Sequence, residues 1–132
     1  MDANLKREDE IRQKNEAARV TFPDGGTAPR LGQGTWHLGD RKEGRDSELE
    51  ALRLGVRLGM TLIDTAEMYG EGRSESLVGE AISGIGRDRL FLVSKVYPRN
   101  AGRGNIFQSC ENSLRRLGTD SLDLYLLHWR GN

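Results

Sequence analysis

The sequence predicts an α/β protein with a parallel sheet that follows a short β-hairpin, and three observations carry this prediction. Four apolar segments of strand length alternate with three segments whose apolar residues recur at helical spacing. Alternation of this kind implies parallel strands joined by right-handed crossovers. The fourth strand segment, Leu124-Tyr125-Leu126-Leu127, is continuously apolar, as in a strand that is covered on both faces.

The chain begins with a charged extension at residues 1–19, and we expect the folded domain to occupy residues 20–132. The extension contains few large apolar side chains, so it predicts either a solvated, frayed helix or a disordered segment. A hairpin is predicted over Val20–Pro29, because Pro23-Asp24-Gly25-Gly26 has the composition of a tight turn.

Strands and helices alternate over the remainder of the chain. The predicted strands are Leu31–Trp36, Met60–Asp64, Leu90–Lys95 and Leu122–His128. The predicted helices are Glu48–Leu58, Ser74–Ile82 and Asn105–Leu117. Ser74 and the pair Asn105/Gln108 are candidate caps at the helix starts. At the end of the third helix, Gly118 is expected to be a left-handed stop and Arg115-Arg116 to be solvated. Their predicted buried faces are Ala51, Leu52, Gly55 and Val56, then Leu77, Val78, Ala81 and Ile82, and finally Phe107, Cys110, Leu114 and Leu117.

This order of elements is that of a (β/α)₈ barrel, of which the sequence supplies a part. A complete barrel has eight strands and takes about 250 residues. The chain has 132 residues and four strand segments after the hairpin. We therefore expect the first half of a larger, truncated barrel. Its open strand edges would favour self-association.

Composition excludes several other classes of function. The chain has 20 basic and 20 acidic residues, so we expect no nucleic-acid partner and no anionic membrane partner. No apolar run reaches the about 20 residues of a membrane helix. The single cysteine, Cys110, is expected to be a buried structural thiol, excludes an intrachain disulfide and fits a cytoplasmic protein. Two histidines without a ligand cluster predict no metal site.

Polar residues end three of the predicted strands, at Asp64, Lys95 and His128, and Tyr69 lies shortly after Asp64. The carboxyl ends of parallel strands are where barrels and open α/β sheets place their active sites. A free phenol is a slow acid at neutral pH, but a nearby ammonium favours its ionised form. Lys95 could supply that ammonium, and an ion pair with Asp64 could hold Lys95 in place. With His128 orienting a carbonyl, the set suits protonation of its oxygen while hydride arrives from another group.

Spacing alone leaves two other interpretations open. Asp64 and Lys95 could form a structural salt bridge, with Tyr69 an ordinary loop residue. Alternatively, Lys95 could form a Schiff base, as in a lyase or an aldolase, although a lysine that a carboxylate keeps charged is a poor nucleophile.

Two further motifs bear on the type of site. Gly32-Gln33-Gly34 is followed by His37 where the GxGxxG pattern requires glycine, which disfavours a doubly wound dinucleotide fold. Trp36 and Trp129 both follow strand ends. They predict either the aromatic walls of a small-molecule pocket or ordinary packing at the rim of a barrel.

The motifs at the strand ends are specific in content and in order. They are Leu31-Gly32-Gln33-Gly34-Thr35-Trp36, Ile63-Asp64-Thr65-Ala66-Glu67-Met68-Tyr69-Gly70, Val93-Ser94-Lys95-Val96, and Ser113-Leu114-Arg115-Arg116-Leu117-Gly118-Thr119-Asp120 followed by Leu124-Tyr125-Leu126-Leu127-His128-Trp129. From about Val20 to Asn132 the chain resembles the aldo-keto reductases, in particular bacterial members that act on small aldehydes and ketones. The hairpin at Val20–Ala28 is similar to the plug under the barrel of that family.

The resemblance implies NADPH-dependent or NADH-dependent reduction of a small carbonyl substrate, with no metal. It implies Tyr69 as the proton donor, tuned by Lys95 and Asp64, and His128 as the residue that orients the substrate. It also implies a cofactor along Gly34, Thr35, Trp36 and Asp64, and a substrate pocket shaped by Trp36, Tyr97, His128 and Trp129.

The same resemblance implies that most of the cofactor site lies in the second half of the barrel. We therefore expect this 132-residue chain to be inactive alone. The alternative is a truncated, non-catalytic fragment that oligomerises or binds a partner.

Overall fold

The computed structural model describes residues 2–131, which form six strands and four α-helices. In chain order these are α1 (Ala3–Ala17), β1 (Arg19–Thr21), β2 (Thr27–Pro29), β3 (Gly32–Gly34), α2 (Arg45–Arg57), β4 (Leu62–Asp64), α3 (Arg73–Ile82), β5 (Phe91–Val96), α4 (Ile106–Leu117) and β6 (Leu124–Leu127). Short 3₁₀ turns occupy Tyr69–Gly72, Arg87–Arg89 and Pro98–Asn100. Within residues 2–131, no helix combines the length and the apolar character that a membrane crossing requires.

The sheet confirms the predicted parallel α/β architecture. Its four strands follow the order β3-β4-β5-β6, and every neighbouring pair is parallel. The predicted first strand was too long, because the chain turns immediately after β3, where the amide of Leu38 donates to the carbonyl of Thr35. β5 runs one residue past Lys95, because Val96 still pairs with Leu127 of β6.

The predicted hairpin is present and lies at the amino end of the sheet. β1 and β2 are antiparallel, and Gly25 supplies the left-handed residue of the turn at φ 87°. The ring of Phe22 stacks on that of Phe91, the first residue of β5, with 5.6 Å between ring centroids. This packing leaves the opposite, carboxyl edge of the sheet open for a site.

The charged extension adopts the helical one of the two predicted states. α1 buries no residue, and the side chain of Asp2 caps it by accepting from the amide of Asn4 at 3.1 Å. The helix is held to the domain by Asn15, whose side-chain amide donates to the carbonyl of Leu58 at 2.6 Å. A Cβ at position 59 would clash with Asn15, so this close approach requires Gly59.

The first two crossover helices, α2 and α3, cover one face of the sheet. α2 buries Leu49, which the prediction missed, whereas Ala51 is exposed because it lies off the stripe of Leu49, Leu52 and Val56. The predicted stripe of α3 is buried, as are the sheet residues beneath it. Together they form the core: Leu49, Leu52, Val56, Ile63, Leu77, Val78, Ala81, Ile82, Leu90, Leu92 and Leu117.

The predicted cap of α3 was wrong. Gly72, at φ 94°, precedes the helix, and Ser74 is fully buried. The hydroxyl of Ser74 donates to the carbonyl of Thr35 at 2.9 Å and also contacts that of Leu38. Ser74 therefore fixes the loop after β3 against α3 rather than capping the helix.

α4 is rotated relative to its predicted orientation. It buries Ser109, Ser113 and Leu117, and Phe107 is 77% exposed. Small residues on this face allow α4 to approach α3 at Gly79, where a Cβ would meet the backbone of α4. Cys110 is consequently half-buried rather than fully buried, and this burial raises the pKa of its thiol.

The ends of α4 confirm one prediction and contradict another. Gly118 ends the helix with the predicted left-handed conformation at φ 66°. The predicted capping box at the start of the helix does not form. Asn105 makes no side-chain capping bond, and Gln108 instead donates to Asn112 at 3.0 Å.

The last strand is more exposed than its apolar sequence predicted. Leu124, Leu126 and Leu127 are all exposed, and β6 pairs only with β5 among the described residues. The continuous apolar run correctly predicted a strand. Its second prediction, that both faces are covered, is wrong for residues 2–131, since Tyr125 is the one residue of β6 that is even half-buried.

Candidate functional site

The carboxyl ends of β4, β5 and β6 bring the predicted polar residues to one edge of the sheet. Asp64 is the last residue of β4, Lys95 lies near the end of β5, and His128 follows β6 directly. The amide of His128 donates to the carbonyl of Val96 at 3.0 Å, which continues the ladder between the two strands and fixes the start of the next loop.

The ammonium of Lys95 is the centre of this cluster. Its Nζ donates to Oδ2 of Asp64 at 3.0 Å, to the carbonyl oxygen of Thr65 at 2.9 Å and to the hydroxyl of Tyr69 at 3.2 Å. An ammonium has three donors, so these contacts occupy all of them. The predicted Asp64–Lys95 pair is therefore present, and it directs the positive charge at a phenol oxygen.

A distorted turn presents Tyr69 to the cluster. The amide of Tyr69 donates to the carbonyl of Ala66 at 3.1 Å, and the following residues Gly70 and Glu71 have φ values of 59° and 53°. Positive φ is uncommon for a residue other than glycine and occurs often at functional sites. The turn holds the phenol between two other aromatic rings.

These rings belong to Trp36 and His128. The centroid of Tyr69 lies 6.5 Å from that of Trp36 and 5.6 Å, edge to face, from that of His128. Trp36 is 66% exposed and stacks on the ring of His37 at 4.4 Å. The phenol is thus flanked on both sides, and its partly exposed ring remains accessible.

Burial and the charge of Lys95 lower the pKa of His128 below its ordinary value of 6.5. The imidazole is therefore neutral at neutral pH and carries a single N–H. Its Nδ1 is buried and has no hydrogen-bond partner among the described residues. A neutral imidazole can donate one hydrogen bond from its protonated nitrogen, which is the property required to orient a carbonyl oxygen.

The predicted aromatic walls continue from His128. Trp129 meets His128 at 5.1 Å and Tyr97 at 5.9 Å, both edge to face. Burial, and next the charge of Glu71, raise the pKa of the Tyr97 phenol, which therefore stays protonated at neutral pH. The rings from Tyr69 to Tyr97 form a continuous aromatic row along the edge of the sheet.

The predicted cofactor residues differ in how open they are. A Cβ at Gly34 would meet nothing within 4 Å, so the space beside the end of β3 is open. Thr35 is fully buried, and its hydroxyl donates to the carbonyl of Asp64 at 2.9 Å. The side chain of Thr35 therefore holds the ends of β3 and β4 together.

Sequence reasoning missed the buried carboxylate of Glu67. Its Oε1 accepts from the amide of Tyr97 at 2.7 Å and from the side-chain amide of Asn100 at 3.0 Å. Glu67 thereby ties the loop that carries Tyr69 to the loop that carries Tyr97. Its position between Asp64 and Tyr69 was the available signal, but no local pattern indicated its distant partners.

A second buried carboxylate, Glu75, was also missed, and the prediction that Arg116 is solvated was wrong. Arg116 donates twice to Oε1 of Glu75, at 2.9 and 2.7 Å, and Ser94 donates to Oε2 at 2.8 Å. Glu75 is fully buried. Arg116 lies on the face of α4 that meets α3, because the helix is rotated relative to the predicted stripe.

Within residues 2–131, no three His, Cys, Asp or Glu side chains are grouped so that they could hold a metal ion. The Asp64–Lys95 pair is the arrangement that disfavours a Schiff base at Lys95, because it keeps the amine charged.

A family model described as the Aldo/keto reductase family matches residues 30–131. The chain is 55% identical over 113 residues to methylglyoxal reductase YeaE of Escherichia coli. The matched segment is 86% of this chain and 39% of that protein. It is 43% identical over 114 residues to aldo-keto reductase YhdN of Bacillus subtilis, covering 77% and 34% of the two proteins.

The solved structures that superimpose on this chain are also aldo-keto reductases. An aldo-keto reductase from Klebsiella pneumoniae in complex with NADPH superimposes with a TM-score of 0.81 at 53% identity, covering 87% of this chain and 40% of that one. The thermostable aldo-keto reductase Tm1743, in complex with the inhibitor epalrestat, gives a TM-score of 0.80 at 42% identity. This chain spans about 40% of the length of the relatives it matches, and the TIM-barrel character of the predicted fold is confirmed.

Proposed function

This chain belongs to the aldo-keto reductase family, and we propose that its strand-end cluster is the proton-donating part of a site that reduces small aldehydes or ketones with NADPH or NADH. The observation that carries the proposal is the contact of 3.2 Å between Nζ of Lys95 and the hydroxyl of Tyr69. A structural salt bridge would have no need of a third partner that can release a proton.

Each residue of the cluster has a distinct part in the proposed reaction. Tyr69 donates its hydroxyl proton to the carbonyl oxygen. Lys95 stabilises the phenolate left on Tyr69, and Asp64 holds the ammonium in position at 3.0 Å. His128, neutral because burial and Lys95 lower its pKa, donates a hydrogen bond that orients the carbonyl.

The residues at the ends of β3 and β4 fit a nicotinamide cofactor. Gly34 borders open space, and the Asp64 side chain is 36% exposed even though it pairs with Lys95. Gly34, the ring of Trp36 and the carboxylate of Asp64 would border the bound group. Thr35 is fully buried and would act by holding the ends of β3 and β4 together. When bound, the cofactor supplies the hydride that the carbonyl carbon accepts.

The substrate pocket follows from the aromatic row. We assign Trp36 to one side of the carbonyl and His128, Trp129 and Tyr97 to the other. Aromatic walls with a few polar groups are typical of small-molecule sites. The Escherichia coli relative is named for methylglyoxal, so a small aldehyde of this kind is the first substrate to test.

Because the chain spans about 40% of its relatives, we propose that turnover requires the remaining part of a barrel. A chimera in which this chain replaces the matching segment of the Escherichia coli relative supplies that part. We expect the chimera to oxidise NADPH when methylglyoxal is added. Tyr69→Phe should reduce turnover by about 10²–10⁴-fold and leave the Kd for NADPH nearly unchanged. Full turnover by Tyr69→Phe would contradict the assignment.

The isolated 132-residue chain is proposed to lack turnover and micromolar NADPH affinity. A fluorescence titration of its two tryptophans, on protein of verified intact mass, measures this directly. Saturable micromolar binding would show that the chain rebuilds a cofactor site by itself.

A second candidate function is self-association without catalysis. The exposed apolar residues Leu124, Leu126 and Leu127 on the open strand β6 favour it. Light scattering over a range of protein concentrations tests it. A stable dimer that forms without cofactor would support this candidate, whereas a monomer at all concentrations would exclude it.

A further inference from the structure

We propose that the pocket beyond Trp129 is an anion-binding subsite. It would select carbonyl substrates that carry a carboxylate at the end remote from the carbonyl. Its use in catalysis rests on the proposed function. The pocket has a volume of about 470 Å³ and is lined by Tyr97, Pro98, Arg99, Trp129, Arg130 and Gly131. It combines two aromatic rings with two guanidinium groups.

A row of contacting aromatic rings links the pocket to the proton-donating cluster. Tyr69 contacts His128, His128 contacts Trp129, and Trp129 contacts Tyr97, each ring within 6 Å of the next. A substrate whose carbonyl lies at Tyr69 would therefore extend its tail along Trp129 toward Arg99.

The two arginines are available to a ligand. Arg99 and Arg130 are both exposed, and neither forms an ion pair within residues 2–131. Arg7, Arg19, Arg30, Arg41, Arg89, Arg103 and Arg115 also have no ion pair among the described residues, so it is the position of Arg99 and Arg130 beside the aromatic rings of the pocket that sets these two apart. A guanidinium binds a carboxylate in a bidentate manner, so an anionic group is the ligand that this pair fits.

Arg99 is held in place rather than free in solvent. Its Cζ lies 4.5 Å from the centroid of the Tyr97 ring, in a cation–π contact. Tyr97 is itself fixed at both ends, because its amide donates to Glu67 at 2.7 Å and its hydroxyl donates to Glu71 at 3.2 Å. A platform that is already ordered loses less entropy when it binds a ligand.

The two carboxylates near the pocket, Glu67 and Glu71, are not among its lining residues. Glu67 is almost fully buried, and its Oε1 accepts from the amide of Tyr97 and from the side chain of Asn100. Glu71 accepts from the hydroxyl of Tyr97. On the opposite wall, Gly131 packs against Pro98, where a Cβ would lie 3.0 Å from the ring carbon of that proline.

The position of the pocket assigns the anion to the substrate rather than to a phosphate of the cofactor. The proposed cofactor residues lie at β3 and β4, whereas the pocket lies beyond β5 and β6, on the other side of the sheet order β3-β4-β5-β6. Tyr69 and His128 stand between the two regions.

The test measures binding without turnover. In the full chain carrying Trp36→Phe, Trp129 is the remaining tryptophan and reports on the pocket. We expect succinate to change its fluorescence saturably, added salt to weaken the binding, and the neutral isostere succinamide to bind at least about threefold more weakly, as for an exposed charge pair. Arg99→Gln and Arg130→Gln should each weaken succinate binding to a similar degree.

A matched control is Lys42→Gln, which removes a positive charge from a different pocket, lined by Arg41, Arg45 and Arg73 among others, and should leave succinate binding unchanged. Equal affinity for succinamide, unchanged binding by both arginine variants, or no succinate binding by folded protein would each overturn the proposal. Displacement of succinate by adenosine 2′,5′-bisphosphate would also overturn it, by assigning the arginines to the nucleotide.

Failure of this inference is distinguishable from failure of the proposed function. Tyr69→Phe should bind succinate normally, because the subsite needs no proton transfer. In the chimera, the anionic aldehyde 4-oxobutanoate should have a lower KM than 4-oxobutanamide. Arg99→Gln should remove that difference in KM while kcat stays within about twofold. The reason is that the lost contact stabilises the bound substrate and the transition state equally. Inactivity toward both aldehydes with intact succinate binding would contradict the proposed function and support the subsite.

Discussion

Ser94 and Lys95 are neighbours on β5, yet they belong to two polar clusters of opposite character. Ser94 faces the helices and donates to Glu75, which Arg116 neutralises from α4. Lys95 points to the other face, where it binds Asp64 and the hydroxyl of Tyr69. Alternation of side chains along a strand places the two clusters on opposite faces of one sheet.

We call Ser94, Glu75 and Arg116 the outer cluster, and Asp64, Tyr69, Lys95 and His128 the inner cluster. The hydrogen-bonding groups of the outer carboxylate all have partners within the cluster, whereas the inner cluster keeps groups that are exposed or have no partner. Both oxygens of Glu75 have donors, and the carboxylate is fully buried. In the inner cluster Asp64 is 36% exposed, and Nδ1 of His128 has no partner among the described residues. A closed ion pair stabilises a fold, and an open one beside a phenol can act on a ligand. The difference separates a structural salt bridge from a candidate site without reference to sequence motifs.

The largest expected effect is the loss of stability on breaking the outer pair. Arg116→Met leaves the fully buried carboxylate of Glu75 without its partner, and we expect it to lower the free energy of unfolding by about 3–5 kcal/mol. Urea denaturation followed by circular dichroism measures this. Lys95→Met is the matched control at the inner pair, because the carboxylate of Asp64 that it leaves behind is 36% exposed, and the expected loss is about 1 kcal/mol or less. Equal losses would remove the distinction between the clusters.

The next effect concerns turnover, which should depend on the inner cluster and not on the outer one. Lys95→Met removes the charge that stabilises the phenolate of Tyr69, so we expect kcat in the chimera to fall by about 10²-fold or more. The outer double variant Glu75→Leu/Arg116→Met removes two charges together and should retain turnover, because a buried ion pair replaced by apolar residues is often neutral for stability. Steady-state NADPH oxidation distinguishes the two, and activity in Lys95→Met would refute the assigned role.

The smallest effect is a pH dependence from His128. Its folded-state pKa lies below the ordinary value of 6.5, so the unfolded chain binds the proton more readily. The stabilisation from neutral His128 is complete above about pH 6.5 and is lost as the pH falls through and below that value. His128→Gln should flatten this part of the curve of unfolding free energy against pH. An unchanged slope would show that His128 is not held neutral.

Three residues of the inner cluster were predictable from sequence because each is tied to a strand end, and Tyr69 was predictable because it closely follows one of them. Asp64, Lys95 and His128 finish apolar runs, and a parallel sheet brings such ends together whatever the exact strand limits are. The pair between Asp64 and Lys95 followed from their opposite charges at the ends of successive strands. The sheet order and the hairpin were predictable for the same reason, since alternation and turn composition are local signals.

The outer cluster was not predictable, because its partners come from distant elements. Arg116 follows Arg115 at the end of a helix, a pattern that is typical of a solvated end. Only the rotation of α4, imposed by packing small residues against Gly79, turns Arg116 toward Glu75. Phe107 was misplaced for the same reason, since a helix with two adjacent apolar stripes does not reveal which one packs.

One matched pair of substitutions tests the central claim most directly. Tyr69 lies at the inner cluster, and Tyr125, paired in register with Ser94, lies on the outer face with a buried hydroxyl that has no partner among residues 2–131. Turnover of the NADPH-dependent chimera should fall by about 10²–10⁴-fold for Tyr69→Phe and remain near that of the parent chimera for Tyr125→Phe. Retained turnover in Tyr69→Phe, or an equal loss in Tyr125→Phe, would contradict the account.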